Sequence, residues 1–476
     1  MNYSISIVQV IYITERITAK NKKKMDFNTI LSNAKLTENG DLAFKSPVIG
    51  NTEDDIMLDI LFKTEYYSNH LNEVPVLPRT NRTIRFAQFI RDPRYGLGKR
   101  DLGRVLLKQL NVENESILNC GRADDLFYAS KSSFKELCDY LYMKVQYENN
   151  ELVKKWMPRY SSKNKDLAIR IMNEWFKNEP NYIKRKQLYS KMIKCNTTEQ
   201  HLSRKETDKI IFEQVPSLAS IKYANRFSRG EDTKERYFQY LADVKAGKKE
   251  VKVSTTTPYD IYRNREKIDA NIFFSALPKI SGSWLPIIDS SRSMQDANDS
   301  YGKAIAIGHY LAKCSSSCFN TAISFSNNPK VLSMNGCKTY EEELCALFTG
   351  DWTNTDLAKV MDLLSSLKEN ATIENFPQYL IILSDMEFDR GSQTSIEEFN
   401  TINRRLGTTT KIVWWNLNSR NTTSPEMDNS GNIFISGYNP MIMKFLEVKF
   451  DAKTFLNKLL NEYDLAYIRN YHHSNE

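Results

Sequence analysis

A chain of 476 residues has room for two or three domains, and 41% apolar with 26% charged residues is ordinary for a globular protein. The formal net charge is +8, and no stretch approaches the ~20 apolar residues of a membrane span, which excludes a helical membrane protein. Seven irregularly spaced cysteines and only five histidines argue against a zinc site and for reduced thiols in a cytoplasmic protein.

Residues 1–25 begin with "SISIVQVIYI", a poor signal peptide because no basic residue precedes it and no small-residue cleavage site follows. Met25 is a candidate start, which would make this segment an upstream extension; a strand or helix tucked on the body is the other reading. From 26 to 265 apolar residues recur at three- and four-residue spacing in "FNTILSNAKL", "EDDIMLDILFKTEYY", "TNRTIRFAQFIRD", "KRDLGRVLLKQL", "SFKELCDYLYMKVQYEN" and "NKDLAIRIMNEWFK". This predicts an all-helical, HEAT-like array without a strict repeat. The polar segment 244–260, "VKAGKKEVKVSTTTPYD", reads as a linker.

Over 266–476 the period changes. "WLPIID", "FNTAISFS", "YLIILSD" and "KIVWWNLN" read as strands. Each is followed by an amphipathic segment: "YGKAIAIGHYLAK", "NTDLAKVMDLLSSL", "IEEFNTINRRL" and "YNPMIMKFLEV". Strand alternating with helix predicts a Rossmann-like domain with a central parallel sheet covered on both faces. The expected fold class is therefore α + α/β.

In such a sheet, sites form beyond the carboxyl ends of the strands. Asp289 ends one predicted strand and is followed by Ser291 and Ser293 in D-x-S-x-S; Asp385 ends another. Between them "GDWTNTDL" places Thr353 and Thr355 ahead of a helix, Thr355 also suiting an N-cap. These are all hard oxygen donors, suited to Mg²⁺, Mn²⁺ or Ca²⁺. The hydroxyls would bind the ion directly, the aspartates would hold its waters, and one position would stay open for an outside carboxylate or phosphate. Glu387 and Asp389 in "LSDMEFDRG" either tune the site or cap the next helix.

Asp289, Ser291, Ser293, the "TNTD" threonine and Asp385 of "LSD" resemble the von Willebrand factor A domain and its metal-ion-dependent adhesion site. Alignment on "TNT" selects Thr353, and alignment on "TDLA" selects Thr355. With "RDPRYGLGKRDLGRVLL", "GRADDLFY", "KWMPR" and "VPSLASIKYANRFSR", the whole is similar to the TROVE architecture of the Ro ribonucleoproteins, and more so to a TROVE-like branch of unknown role. The resemblance covers most of 26–450. It implies a ring of helical repeats closed by the A domain, binding small noncoding or misfolded RNA, and acting as a monomer.

Independently of that resemblance, residues 154–195 carry twelve Lys/Arg against three Asp/Glu. Lys154, Lys155, Arg159, Lys163, Lys165, Arg170, Lys184, Arg185 and Lys186 are candidate phosphate contacts. Trp156, one of six interleaved aromatics, is a candidate base platform. The competing reading is a basic solvated face with its aromatics in the core. Arg91–Asp92, Arg100–Asp101 and Arg122 with Asp124 or Asp125 read as local ion pairs in turns. No nucleophile-and-base set, H-E-x-x-H or phosphate loop is present, so the expectation is a non-catalytic protein. The alternatives are a protein-interaction scaffold that binds a partner carboxylate through the metal, and a metal-dependent nuclease.

Overall fold

The computed structural model describes residues 34–36, 42–44, 52–93, 95–253, 256–295, 299–348, 357–370, 376–385, 409–417, 426–427, 433–438, 445 and 452–473. Residues 1–25 and the segment "YNPMIMKFLEV", apart from Tyr438 and Phe445, lie outside them.

Helices fill the first half, from Glu53–Phe62 to Lys234–Lys245. Several begin where the sequence supplies a cap. Thr80 accepts the N–H of Thr83 at 3.1 Å to start Asn81–Arg91, and Ser133 accepts that of Glu136 at 3.3 Å to start Phe134–Gln146. One sequence expectation fails: the end of "FNTILSNAKL" is strand. β1 (Ala34–Leu36) pairs antiparallel with β2 (Leu42–Phe44).

The 244–260 segment is no solvated linker. Val251, Val253, Thr256 and Thr257 are buried, and the Tyr240 hydroxyl donates to the Glu250 carbonyl at 2.9 Å. Two valines spaced to face one way are enough to bind the segment to the core. Thr257 then caps helix Pro258–Asn264, which packs on helix Ser300–Cys314 of the second half.

The second half is built on a seven-stranded sheet in the order β5-β4-β3-β6-β7-β9-β8. Its strands are β3 (Trp284–Asp289), β4 (Thr321–Phe325), β5 (Val331–Ser333), β6 (Tyr379–Ser384), β7 (Lys411–Asn416), β8 (Glu426–Met427) and β9 (Ile433–Ser436). The central five are parallel, but β5 and β8 add to the edges antiparallel, so the sheet is mixed rather than parallel throughout.

Successive side chains of a strand face opposite ways, and here both faces are buried. Leu285, Ile287, Leu380, Ile382, Ile412 and Trp414 pack with Val360 and Leu364 of helix Leu357–Glu369. Ile288, Ile381, Leu383, Val413 and Trp415 join the larger core that includes helix Ser300–Cys314. A Cβ on Gly308 would come within 2.6 Å of the Ile288 side chain, so glycine lets this helix sit close to β3.

On the same helix, His309 is fully buried. Its ring stacks on Phe274 at 4.2 Å and its Nε2 meets Glu343 Oε2 at 2.7 Å, with Lys313 on the same carboxylate. Burial lowers its pKa; Glu343 opposes the shift and Lys313 adds to it. A base whose folded pKa is depressed gives stability that is complete above its unfolded value, about 6.5, and lost as pH falls toward the folded one. The melting temperature is therefore expected to fall between pH 7.5 and 5.5, and to fall less in His309→Gln. Equal slopes would remove His309 as the cause.

The helix Ala452–His473 does not stay with the sheet. It returns to the first helices, with Tyr463 against Phe89 at 5.6 Å and its hydroxyl donating to Asp92 at 3.1 Å. Arg85 pairs with Asp464 at 2.5 Å, and Phe62, Phe445 and Phe455 form an aromatic trio.

Candidate functional site

The strand order turns back at β3. From β3 the chain crosses to β4 on one side, and β6 later adds on the other. In open sheets ligands bind beyond the strand ends at such a reversal, and the order of the strands brings Asp289 and Asp385 to this point.

Asp289 is 0% exposed. Its Oδ1 accepts the backbone N–H of Ser291 at 2.8 Å, and its Oδ2 accepts the Ser384 hydroxyl at 2.5 Å. Burial pushes this carboxyl up to about 7, against the pull of those Ser384 and Ser291 hydrogen bonds, and the charge of Asp385 adds to the rise. A cation at this point would favour the carboxylate.

The hydroxyls of Ser291 and Ser293 lie 3.0 Å apart. Neighbouring ligands of an octahedral Mg²⁺ at ~2.1 Å stand about 3.0 Å from one another, so this spacing suits two adjacent positions. Ser291 is buried and Ser293 only half-buried, so solvent reaches the pair from the Ser293 side. The Asp385 backbone N–H donates to the buried Met294 Sδ at 3.1 Å and so ties the two loops together.

Asp289, Ser291, Ser293 and Asp385 are thus gathered at one strand edge. Thr353, Thr355, Glu387 and Asp389 lie outside the described residues. Among the described residues no three His, Cys, Asp or Glu side chains form a metal cluster; the donors here are two carboxylates and two hydroxyls. Ser384 and Met294 escaped the sequence reading. Ser384 sits one place before Asp385 at a strand end, which was the available signal; Met294 gave none.

A second polar centre lies in the helical half. Asp125 pairs with Arg91 at 2.5 Å and accepts from Arg104 Nε at 2.6 Å and from the Arg122 backbone N–H at 2.7 Å. Asp124 accepts from Arg104 at 2.8 Å, Asn164 at 2.8 Å and Arg100. The expected local pairs within each turn therefore give way to pairs between "RDPRYGLGKRDLGRVLL" and "GRADDLFY". A Cβ on Gly103 would lie 2.6 Å from the Arg91 Cβ, so only glycine lets Arg91 pass to Asp125.

The basic segment divides. Lys154 is buried and bound to Asn149 and Glu151. Arg159 is spent on the carbonyls of Lys154 and Ile193 and on Cys195 Sγ. Lys155 lies near Trp156, and Arg185 is half-buried. Lys163, Lys165, Arg170, Lys184 and Lys186 are exposed, although Lys184 also pairs with Glu179 at 2.6 Å. Trp156, Tyr160, Trp175 and Phe176 pack against the core and Tyr189 is inside it, which leaves Tyr182 exposed.

All seven cysteines are free, and no helix among the described residues is long and apolar enough to cross a membrane. Residues 283–464 match the family model of a domain of unknown function (DUF7788), and 157–299 match that of another (DUF2828). A curated relative, the uncharacterized protein L728 of Acanthamoeba polyphaga mimivirus, is 25% identical over 315 residues, covering 59% of this chain and 55% of its own. The chain thus spans about half the length of that relative. Among solved structures, the Deinococcus radiodurans RO (RSR) protein is similar over 88% of this chain and 96% of its own, at 11% identity and a TM-score of 0.39. Function has to be argued from this chain's own residues.

Proposed function

We propose that this is a non-catalytic RNA-binding protein whose sheet domain is a von Willebrand factor A-like module, holding Mg²⁺ to dock a carboxylate of a protein partner. The observation that carries the RNA reading is helix Tyr182–Met192. Of its side chains Tyr189 alone is buried, and Lys184, Lys186 and Lys191 are exposed, as are Lys163, Lys165 and Arg170 in and before the helix that packs on it. Such a face meets phosphates; with most of the aromatics packed inside, backbone contact rather than base stacking dominates.

Each phosphate contact to a single strand adds about 0.7 to the salt slope. Lys184→Glu, Arg185→Glu and Lys186→Glu together are expected to weaken binding of a single-stranded RNA roughly tenfold or more and to flatten the log Kd against log salt slope by about 2. Fluorescence anisotropy at several salt concentrations measures both. An unchanged slope would move the RNA contact elsewhere.

The docking half of the proposal is supported by the donor set. Hydroxyls neutralise less of the ion's charge than carboxylates, so the ion keeps its pull on an outside carboxylate. A partner released by chelation while RNA stays bound would separate the two roles. If no RNA survives purification in high salt, the scaffold reading stands alone. Metal-dependent RNA cleavage lost in Asp289→Ala would instead make the protein a nuclease.

A further inference from the structure

The Arg–Asp centre leaves one guanidinium over. Asp124 and Asp125 are taken up by Arg91, Arg100, Arg104 and Asn164. Arg122 gives Asp125 only its backbone N–H. Among the described residues no carboxylate lies within ion-pair distance of its guanidinium, and its Nε has no hydrogen-bond partner. The guanidinium is held instead over the ring of Trp156, 4.3 Å from the centroid, with Lys155 Nζ 5.2 Å from the same centroid.

Behind it Arg91, 1% exposed, leaves its own Nε without a partner, as does Arg100. Burial, then the like charges of Arg91 and Arg100, lower the Arg122 pKa, against the opposing charges of Asp124 and Asp125. Arg91 and Arg100 are met by Asp125 and Asp124, whereas the half-buried guanidinium of Arg122, with like charges beside it and a donor unspent, favours an approaching anion. A narrow cleft lined by Glu115, Gly121, Ala123, Val153 and Trp156, among others, lies on Trp156; Arg122 does not line it.

We propose that Arg122, flanked by Arg100 and Lys155, is an oxyanion site that takes a phosphoryl group, either of an RNA backbone or of a free phosphate compound. The planar fork of arginine matches two phosphate oxygens at once, and the indole beneath it fixes the fork's orientation. The site uses none of Lys184, Arg185 and Lys186, although Asn164, between Lys163 and Lys165, bonds Asp124 of the same centre; its RNA arm rests on the proposed function, and its free-phosphate arm does not.

Calorimetry on the full chain tests it, with pyrophosphate and a ten-nucleotide oligouridine as separate probes, comparing the natural protein with Arg122→Gln and Arg122→Lys. Losing a charge-assisted phosphate contact is expected to weaken binding about 10- to 100-fold in Arg122→Gln, with partial recovery in Arg122→Lys. Because Arg122 breaks no ion pair when replaced, the probe-free variant should melt with the natural protein. Loss confined to pyrophosphate assigns the site to free phosphate compounds, and loss confined to oligouridine assigns it to the RNA backbone. The proposal is overturned if neither probe binds the natural protein or if Arg122→Gln binds both equally well. A large drop in the melting temperature of probe-free Arg122→Gln overturns it too, by making Arg122 a structural cation. So does displacement of both probes by poly-glutamate together with Arg122-dependent binding of that polymer at higher affinity, which would make the ligand an acidic protein.

Discussion

Asp125→Ala is expected to cost about 3–5 kcal/mol of stability, the largest effect of any single change described for this chain. The mutation deletes the acceptor for Arg91, 1% exposed, and for Arg104, both already withdrawn from water. The attraction lost is only part of the cost; most comes from leaving the buried Arg91 without a counter-charge, while Arg104 keeps Asp124. The backbone N–H of Arg122 loses its acceptor as well.

Asp125 ties helices Asn81–Arg91 and Arg100–Gln109 to the turn at 122–125, so its loss should loosen all three together. Urea unfolding would show the shift in midpoint. Asp101→Ala serves as the control, since Asp101 is two-thirds exposed and meets Arg104 only at 3.6 Å; it should change stability by under about 0.5 kcal/mol. Equal midpoints for Asp125→Ala and the natural protein would show that these arginines find other partners.

The second large effect concerns the loops beyond β3 and β6. Mg²⁺ at a hundred times its dissociation constant is expected to stabilise the sheet domain by about 2.7 kcal/mol, which for a domain of this size raises the melting temperature by roughly 5–10 °C. Chelation should reverse the rise. Asp289→Asn keeps the shape of the side chain but removes the negative charge, and Ser291→Ala removes one hydroxyl of the pair 3.0 Å apart. Both should abolish most of the shift. Asp289→Asn should also fold without metal at least as well as the natural protein, because a buried carboxylate is replaced by a neutral amide. A Mg²⁺ shift that survives in both variants would place the ion away from these loops.

The sheet was legible because its strands are buried on both faces and so read as unbroken apolar runs between helices; Trp284–Asp289 is buried at every position. β5, β8 and β9, two to four residues each, are too short to carry such a signal. Asp289, Ser291, Ser293 and Asp385 could be found since polar residues directly after an apolar strand fall at a sheet's carboxyl edge by topology alone. Ser384 could not be assigned to Asp289, because that contact spans 95 residues of sequence.

The Arg–Asp centre was misread for a related reason. Arg91 stands next to Asp92, and Arg100 next to Asp101, and neighbours in sequence look like partners. Burial decides otherwise. Asp124 and Asp125 are buried where Arg91 and Arg104 also arrive, and a charge inside the protein must pair with whatever charge is there. The basic segment shows the same limit: composition located the charge but could not say that Lys154 and Arg159 are spent inside while Lys184 and Lys186 face outward.

The return of Ala452–His473 to the first helices has a consequence for biosynthesis. Phe62 and Phe89 find their aromatic partners Phe445, Phe455 and Tyr463 in a part of the chain made long after them. Until that part leaves the ribosome, the earliest helices present an uncovered apolar seam, the kind of surface that chaperones hold and that aggregates if left alone. A message cut short before residue 452 would therefore yield a chain whose defect appears at helices Glu53–Phe62 and Asn81–Arg91. Clearance of such products would be driven by the stickiness of residues 53–91, far from the point of truncation.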